Sequence, residues 1–229
     1  MKKTKFYTEL AFFVGLALLA FGTALTAYGN VGISMVVAPA FVLHLYVSQF
    51  LPWFSFGVAE YVLQVFVLLV LVLVLRKAKW TYLLSFAVTL LYGFLLDGSM
   101  MVTAFLPENT YLQIAMYIVG ATICCSALAL LFCSYFPPEA YELFSKEVAA
   151  KFRKPVHKVV NIYNLCSLAL ALILSFALFG GIKGIGIGTV VCAFAYGFVI
   201  NFFQKVYGKI FSFEDKFPWR RFFEESEKM

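Results

Sequence analysis

The chain has 229 residues, of which 63% are hydrophobic and 13% are charged, with a formal net charge of +6. Soluble domains carry roughly a quarter charged residues, so this composition excludes an ordinary soluble protein and favours one embedded in a membrane. The positive charge does not indicate a nucleic-acid-binding protein, because the basic residues flank apolar runs and form no basic face with polar or aromatic readers.

Six apolar runs are long enough to cross a bilayer, which takes about 20 helical residues. In chain order they are 10–28, 57–75, 80–97, 111–134, 159–179 and 186–203. The first follows a basic N-terminus, but it is too long for the apolar region of a signal peptide, so we expect it to be retained. A further run, 31–51, is also long enough, and length alone does not decide whether it crosses.

The distribution of lysine and arginine predicts that 31–51 does not cross. Cytoplasmic loops collect these residues. If 31–51 stays on one side and the N-terminus is inside, every basic residue except Lys183 lies on the inner side. If it crossed, each later loop would change sides and the bias would be lost. Pro39, in the middle of the run, also favours a broken helix, because proline removes an intrahelical hydrogen bond.

Two pairs of segments resemble each other at a nearly constant spacing. LLYGFLLD (90–97) resembles FAYGFVIN (194–201), and FFVGLALLAFGTAL (12–25) resembles YIVGATICCSALAL (117–130). With three spans in each half, the second copy would be inverted relative to the first, and the counterpart of 31–51 would be 135–152 on the inner side. Inverted repeats with interrupted segments at matching positions are typical of alternating-access transporters.

The sequence therefore predicts an all-α polytopic protein of the cell membrane, with six transmembrane helices arranged as a three-plus-three inverted repeat. Each half would hold one short non-spanning helical segment, re-entrant or interfacial. A single transmembrane domain would cover 1–205, with halves at about 8–100 and 110–205, and 206–229 would form a cytoplasmic interfacial tail. Both termini would be cytoplasmic.

Three elements resemble the YczE/YyaS/YitT family of bacterial integral membrane proteins. GIGIGT (184–189) is similar to the glycine-rich element before that family's last span, and GISMVVAPAFVLH (32–44) to its first re-entrant element, with Met35 in place of a proline. PPE (137–139) resembles the start of the second such element. The resemblance extends to about residue 205 and implies a polytopic transporter. The family often has an acidic residue early in the fifth span, where this chain has asparagines.

Polar residues within or beside the apolar runs are the candidate solute-binding residues, because such groups normally face a bundle interior or a water-filled cavity. Glu60 and Gln64 stand four apart and share one helix face, and Asn161 and Asn164 occupy the start of the fifth span. The set predicted to bind solute is Pro39, His44, Glu60, Gln64, Glu139, Asn161 and Asn164.

Each candidate also has a structural interpretation. Glu60 lies near enough to the headgroups to be solvated, and Asn161 and Asn164 can tie helices together by hydrogen bonds. Glu139 follows two prolines, so it suits the first turn of a helix, where a carboxylate is favoured by the helix dipole. A lone histidine such as His44 is more often structural than a metal ligand.

No catalytic motif, metal-ligand set or cofactor motif is present in the sequence, so we expect a protein that is not an enzyme. The glycine-rich stretch 181–189 lacks the arrangement of a phosphate loop and is expected to form a tight interfacial turn. The expected partners are the lipid bilayer and a small solute, with no nucleic acid; a homo-oligomer or a membrane partner stays open. The preferred function is a secondary transporter or facilitator. The alternatives are the substrate-binding subunit of a multi-component importer and a non-transporting membrane scaffold.

Overall fold

The computed structural model describes residues 4–77, 79–136, 139–154 and 156–216. Within these ranges the chain forms eight helices and two short strands. They are β1 (Thr4–Tyr7), α1 (Thr8–Tyr28), α2 (Ala38–Val47), α3 (Phe56–Leu75), α4 (Trp80–Thr103), α5 (Thr110–Leu131), α6 (Ala140–Lys151), α7 (Val156–Phe179), α8 (Ile187–Ile210) and β2 (Phe211–Glu214). The mostly helical fold is as predicted, and the two strands are the exception.

Five helices of the described chain, α1, α3, α4, α5 and α7, are long and apolar enough to cross a membrane. To this extent the prediction of a multi-pass membrane protein is confirmed. The sixth predicted span, 186–203, falls within α8, which is 24 residues long. Its crossing of a membrane stays a prediction.

The two segments predicted not to span contain short helices. α2 has 10 residues and α6 has 12. At a rise of 1.5 Å per residue these helices are about 15–18 Å long, which is too short for a hydrocarbon core of about 30 Å. Pro39 lies in the first turn of α2, a position where the missing N–H costs nothing. The run 31–51 is therefore a turn followed by a short helix, and the proline helps to start that helix.

The long helices α1 and α5 share the most extensive helix contact in the bundle. Helix α4 packs against α1 and α3, and α8 packs against α5. Both short helices contact the same two long ones, α3 and α7. The largest buried apolar cluster joins residues of α1, α2, α3 and α4 with Tyr141 of α6 and Ala171 of α7. The short helices are thus integral to the core.

The two strands form a parallel ribbon that the sequence did not predict. Thr4 pairs with Phe211, and the register continues to Tyr7 opposite Glu214. Thr8 Oγ1 donates to Asp215 at 2.8 Å next to the ribbon. Part of the predicted interfacial tail is therefore a strand bound to the start of the chain. The remainder of that tail, 217–229, lies outside the described residues.

Helix α3, which carries two of the candidate residues, is fixed at its start by α4. Ser55 is the N-cap, and its Oγ accepts a hydrogen bond from the N–H of Val58 at 3.1 Å. Asp97 of α4 accepts from Ser55 Oγ at 2.6 Å and from the N–H of Gly57 at 2.7 Å. A carboxylate at the positive end of a helix dipole is favourable, so this contact joins the start of α3 to the C-terminal part of α4.

Candidate functional site

A cavity of about 460 Å³ lies in the bundle, within the size range of small-molecule sites. It is bordered by α1, α4, α5, α6, α7 and α8, and by the turn before α2. Apolar side chains of α1 and α5, such as Leu16 and Leu131, form one part of its wall. The polar part is concentrated at the starts of α6 and α7: Glu139, Tyr141, Glu142, Ser145, Lys146, Asn161 and Asn164.

Behind this wall, Glu60 and Gln64 form a fully buried hydrogen-bond network. Glu60 Oε2 accepts from the hydroxyl of Tyr141 at 2.6 Å and from Gln64 Nε2 at 3.3 Å. Gln64 Oε1 accepts from Thr89 Oγ1 at 2.5 Å and from the N–H of Ala140 at 3.3 Å. Buried polar groups need such partners, so this network fixes the start of α6 against α3 and α4. Tyr141 is its one member that also lines the cavity.

Glu139 stands immediately before α6 and borders the cavity. It occupies the N-cap position, but its side chain accepts no hydrogen bond from the helix backbone. The residue as a whole is half-buried, whereas its Oε1 is buried and has no hydrogen-bond partner among the described residues. The capping role considered from the sequence is therefore not made by this side chain, and one carboxyl oxygen is left unsatisfied.

Burial raises the pKa of Glu139 well above its usual range, and the nearby carboxyls of Glu142 and Glu60 raise it further. Hydrogen bonding by Gln64 acts in the opposite direction. Burial also raises the pKa of Glu142, while the ammonium of Lys146, one helical turn away, lowers it. The two carboxyls differ because a cation accompanies Glu142, whereas the neighbours named for Glu139 are acids and an amide.

The predicted site residues fall into three groups. Glu139, Asn161 and Asn164 lie in the cavity wall, and Glu60 and Gln64 lie behind it. Pro39 and His44 lie elsewhere.

His44 donates from Nδ1 to the carbonyl oxygen of Phe54 at 3.0 Å, and its ring stacks on Phe56. Pro39 is buried in the first turn of α2. The structure gives both residues a local structural environment. Their role in binding solute stays a prediction, as does that of the other five residues.

Sequence reasoning missed Tyr141, Glu142 and Lys146. A signal was present, because Glu139, Glu142 and Lys146 follow one another at intervals of three and four, which places them on one helix face. The segment 135–152 was predicted only as a non-spanning unit, and its own face was not considered. The contact between Tyr141 and Glu60 joins residues 81 positions apart and had no local signal.

A second pocket of about 430 Å³ adjoins the first, and Thr26 lines both. Lys183 and Gly184 of the glycine-rich stretch border this second pocket. The stretch itself packs on the turn before α2: Thr189 Oγ1 accepts from the N–H of Ile33 at 3.1 Å. A Cβ on Gly186 would lie 2.1 Å from a backbone oxygen, so only glycine permits this approach. Gly186 therefore serves close packing between this stretch and the turn before α2.

The geometry offers no metal centre in the part of the chain that the structure describes, where no three His, Cys, Asp or Glu side chains converge. Residues 6–205 match a protein family described as a family of unknown function, DUF6198. No match was found among curated proteins or among solved structures. The family match covers most of the chain and does not conflict with the resemblance to the YczE/YyaS/YitT family, which stays a prediction.

Proposed function

Since the chain belongs to DUF6198, a family of unknown function, we propose its function from the geometry of the cavity. It is a non-enzymatic secondary transporter or facilitator that moves a small organic solute across the cell membrane by alternating access. The observation that carries this proposal is the cavity of about 460 Å³, bounded by the starts of both short helices. Transporters of this kind bind solute where two repeats meet, beside discontinuous helices.

The helix contacts support an inverted repeat in which α1 to α4 correspond to α5 to α8. The contact of α1 with α4 has its counterpart in α5 with α8, and that of α2 with α3 in α6 with α7. The contact of α2 with α7 corresponds to that of α6 with α3. The central pair, α1 and α5, is its own counterpart. A pseudo-two-fold axis through this central pair accounts for these contacts, whereas the contact of α3 with α4 has no counterpart of similar extent between α7 and α8 among the described residues.

The glycines that the repeat aligns support the same axis. A Cβ added to Gly15 of α1 would meet Ala127 and Leu131 of α5. A Cβ added to Gly120 of α5 would meet Gly22 and Thr26 of α1. The spacing between Gly15 and Gly120 also relates Gly22 to Ala127 and Thr26 to Leu131. The contacts are therefore reciprocal, as they would be in two helices exchanged by a two-fold rotation.

A second reciprocal pair joins each short helix to the opposite half. Gln64 of α3 accepts a hydrogen bond from the N–H of Ala140 at the start of α6. Ser167 of α7 donates to the carbonyl oxygen of Val36, just before α2, at 3.2 Å. In both cases a polar side chain of a long helix binds the backbone where the short helix of the other half begins. We infer that this contact holds the two halves in register.

The proposed orientation has six crossings and both termini inside. Pairing of β1 with β2 brings the two ends of the described chain together, which requires an even number of crossings and so favours α8 as the sixth span. Lys79 before α4 pairs with Glu147 of α6 at 2.9 Å, as expected if both flank the inner face. Tyr28 at the end of α1 donates to the carbonyl oxygen of Pro107, as expected at the outer face.

Transport then occurs by rocking of the halves about the cavity. On the inner side, exposed Lys146 and Asn161 border the cavity and would admit solute. On the outer side, the second pocket meets the cavity at Thr26 and provides the other route. The central packing of α1 on α5 is the natural pivot, because small residues at this interface let the helices approach closely and change angle.

Accessibility of a cavity residue from both sides tests this mechanism. Asn164→Cys places a thiol in the cavity wall, and Leu165→Cys places one on the next residue, which is 68% exposed on the outside of the bundle. Both are made in a background without the native cysteines. A membrane-impermeant maleimide, applied in turn to right-side-out and inside-out vesicles, should label Asn164→Cys from both sides and Leu165→Cys from neither.

The same labelling distinguishes the alternatives. A thiol at Asn164 that is unreactive from both sides would overturn transport and favour the membrane scaffold. A thiol that reacts from one side alone would overturn alternating access and favour a substrate-binding subunit. Co-purification with an ATPase module would then identify the multi-component importer.

A further inference from the structure

Negative charges outnumber positive charges around the cavity. The carboxyls of Glu139 and Glu142 line the cavity, and Glu60 lies directly behind Tyr141. Lys146 is the one ammonium or guanidinium group in the described cavity wall. The starts of α2 and α6 also face the cavity and contribute about half a positive charge each. With all three carboxyls ionised, about one negative charge is left without a counter-charge.

This unbalanced charge is best assigned to Glu139. Glu142 has Lys146 one turn along the same helix, in the favourable order with the acid nearer the N-terminus. Glu60 accepts two hydrogen bonds through Oε2, and its Oε1 is also buried without a partner among the described residues, but Glu60 does not border the cavity, so a cation that enters cannot reach it. Glu139 borders the cavity with a buried carboxyl oxygen that has no partner among the described residues. A buried oxygen in this state binds either a proton or a cation that enters the cavity.

The rest of the wall suits an organic cation. The lining of the cavity is rich in aromatic rings, among them Phe12, Tyr92, Phe136, Tyr141, Tyr163 and Tyr196. Aromatic faces attract ammonium groups and also bind apolar bodies. No three His, Cys, Asp or Glu side chains converge in the described wall to hold a metal ion. An anion would meet carboxyls with a single ammonium to offset them.

We propose that the cavity binds a small monovalent organic cation, such as an amine or a quaternary ammonium, with Glu139 as its counter-ion and in competition with one proton. The inference rests on the proposed function in using the same cavity, but binding does not require transport. When the cation binds, the carboxyl proton of Glu139 leaves to water on that side. When the cation leaves on the other side, a proton returns. One cation is thus exchanged for one proton.

The titratable and charged groups around Glu139 belong to several elements. They are Glu60 of α3, Tyr92 of α4, Cys124 of α5, Tyr141, Glu142 and Lys146 of α6, Tyr163 of α7, and Cys192 and Tyr196 of α8. The tyrosines and thiols stay neutral near neutral pH, since their ordinary pKa values lie above it. Burial and then the neighbouring acids favour the protonated form of Glu139, so a proton competes with the cation for this carboxyl.

The test measures binding of benzyltrimethylammonium to the purified full-length protein in nanodiscs by calorimetry, from pH 5 to pH 9. This probe is permanently charged, so its own charge does not change with pH. Affinity should rise about tenfold per pH unit below the pKa of Glu139 and level off above it, because one proton is displaced. A pH indicator in weak buffer should record release of about one proton per bound cation. The uncharged isostere neopentylbenzene and the anion benzenesulfonate should bind at least about tenfold more weakly.

Two variants of Glu139 test whether its carboxyl causes the pH dependence and the proton release. Glu139→Gln should abolish both the pH dependence and the proton release. Glu139→Asp keeps a carboxyl and should retain them. Glu108→Gln removes an exposed loop carboxyl and serves as the matched control, with binding equal to the unaltered protein. The pH dependence of the unaltered protein tests the proposal even if Glu139→Gln does not fold.

Three results would overturn the proposal: no saturable binding of the cation, binding that does not change with pH, or equal binding of the neutral isostere. The maleimide experiment on Asn164→Cys is independent of all three. If the protein binds the cation and releases a proton but Asn164→Cys is not labelled from both sides, the transport mechanism is wrong and the proposed cation site still holds. If Asn164→Cys is labelled from both sides but the protein does not bind the cation, the transport mechanism still holds and the proposed cation site is wrong.

Discussion

The two short helices, α2 and α6, differ sharply in chemistry. Both contact α3 and α7, and the segments at their starts border the same cavity. Helix α2, APAFVLHLYV, contains no acidic residue, lysine or arginine, whereas α6, AYELFSKEVAAK, contains four charged residues. The cavity therefore has an apolar side at the turn before α2 and a polar side at the start of α6.

This difference shows that the packing of a short helix and its charged residues are independent features. The packing of a short helix between α3 and α7 is achieved both with apolar contacts and with a buried polar network, so packing does not require the charges. Of the charged residues of α6, Glu142 and Lys146 border the cavity, whereas Glu147 pairs with Lys79. An amphipathic solute would place its polar head toward Glu139 and its apolar body toward Met35 and Val36. Variants that remove single groups of α6 or of its partners test what this asymmetry contributes.

The largest effect is expected for the pH dependence of stability at Glu139. Its pKa in the folded state is raised above the usual value of 4.5, so the folded state keeps a proton that the unfolded state has lost. Stability should therefore fall as pH rises above about 4.5 and level off above the folded-state pKa, by about 1.4 kcal/mol per pH unit in that window. Glu139→Gln should flatten this part of the profile of thermal unfolding midpoint against pH.

Met35→Gln provides the control, because Met35 borders the cavity from the turn before α2 and has no titratable group. It should leave the slope unchanged. A slope that is the same in the unaltered protein and in Glu139→Gln would show that Glu139 has an ordinary pKa in the fold.

The next effect concerns the contacts that hold the two short helices. Gln64→Leu leaves the buried N–H of Ala140 without its acceptor and deprives Glu60 of a donor. It should cost about 2 kcal/mol of unfolding free energy, because unsatisfied buried groups cost about 1–3 kcal/mol. The corresponding change at α2, Ser167→Ala, removes one hydrogen bond to a carbonyl and should cost about 1 kcal/mol. Denaturant unfolding in detergent measures both, and equal costs would contradict the asymmetry.

A smaller effect is expected for the ion pair between Lys79 and Glu147, which anchors α6 and has no charged equivalent on α2. The side chains are 18% and 15% exposed, so solvent screens the pair only in part. Lys79→Met should lower the unfolding free energy by about 1 kcal/mol. A double-mutant cycle with Glu147→Gln isolates the pair, and a coupling energy near zero would mean that α6 is held by its polar network alone.

The smallest effect is expected for Lys5 and Glu214, which pair across the terminal ribbon at 2.8 Å. Their side chains are 71% and 43% exposed, and exposed pairs contribute little because water screens them. Lys5→Gln should leave the unfolding midpoint unchanged within error in the same assay. A measurable loss would mean that the ribbon depends on this pair more than on its backbone hydrogen bonds.

The sequence predicted the long helices well because the bilayer sets their length. The run predicted at 57–75 is the helix Phe56–Leu75, and 111–134 contains nearly all of Thr110–Leu131. The helix ends were less predictable where a helix continues past its apolar run: the run 186–203 ends before α8 does, at Ile210. Hydropathy reports which residues suit lipid, and helical hydrogen bonds continue beyond them.

The site was predictable only in part. Asn161 and Asn164 stood out as amides beside an apolar run, and both border the cavity. Glu60 and Gln64 stood out for the same reason, but the rotation of α3 turns them toward Thr89 and Tyr141, behind the wall. Periodicity identifies residues that share a helix face and does not say which neighbour that face meets. The ribbon was not predicted, because a strand of four residues is too short to show a recognisable alternation of polar and apolar side chains.

The ribbon of β1 and β2 bears on how the protein is made. Residues 4–7 leave the ribosome before the eight described helices, and their partners at 211–214 leave it after them. The ribbon can therefore close only after the described helices between its strands have been synthesised. With the proposed even number of crossings, a chain with one spanning helix left out of the membrane would have β1 and β2 on opposite faces, where they could not pair. Closure of the ribbon thus selects correctly inserted molecules, and fluorescent tags at the two ends would report that selection by energy transfer.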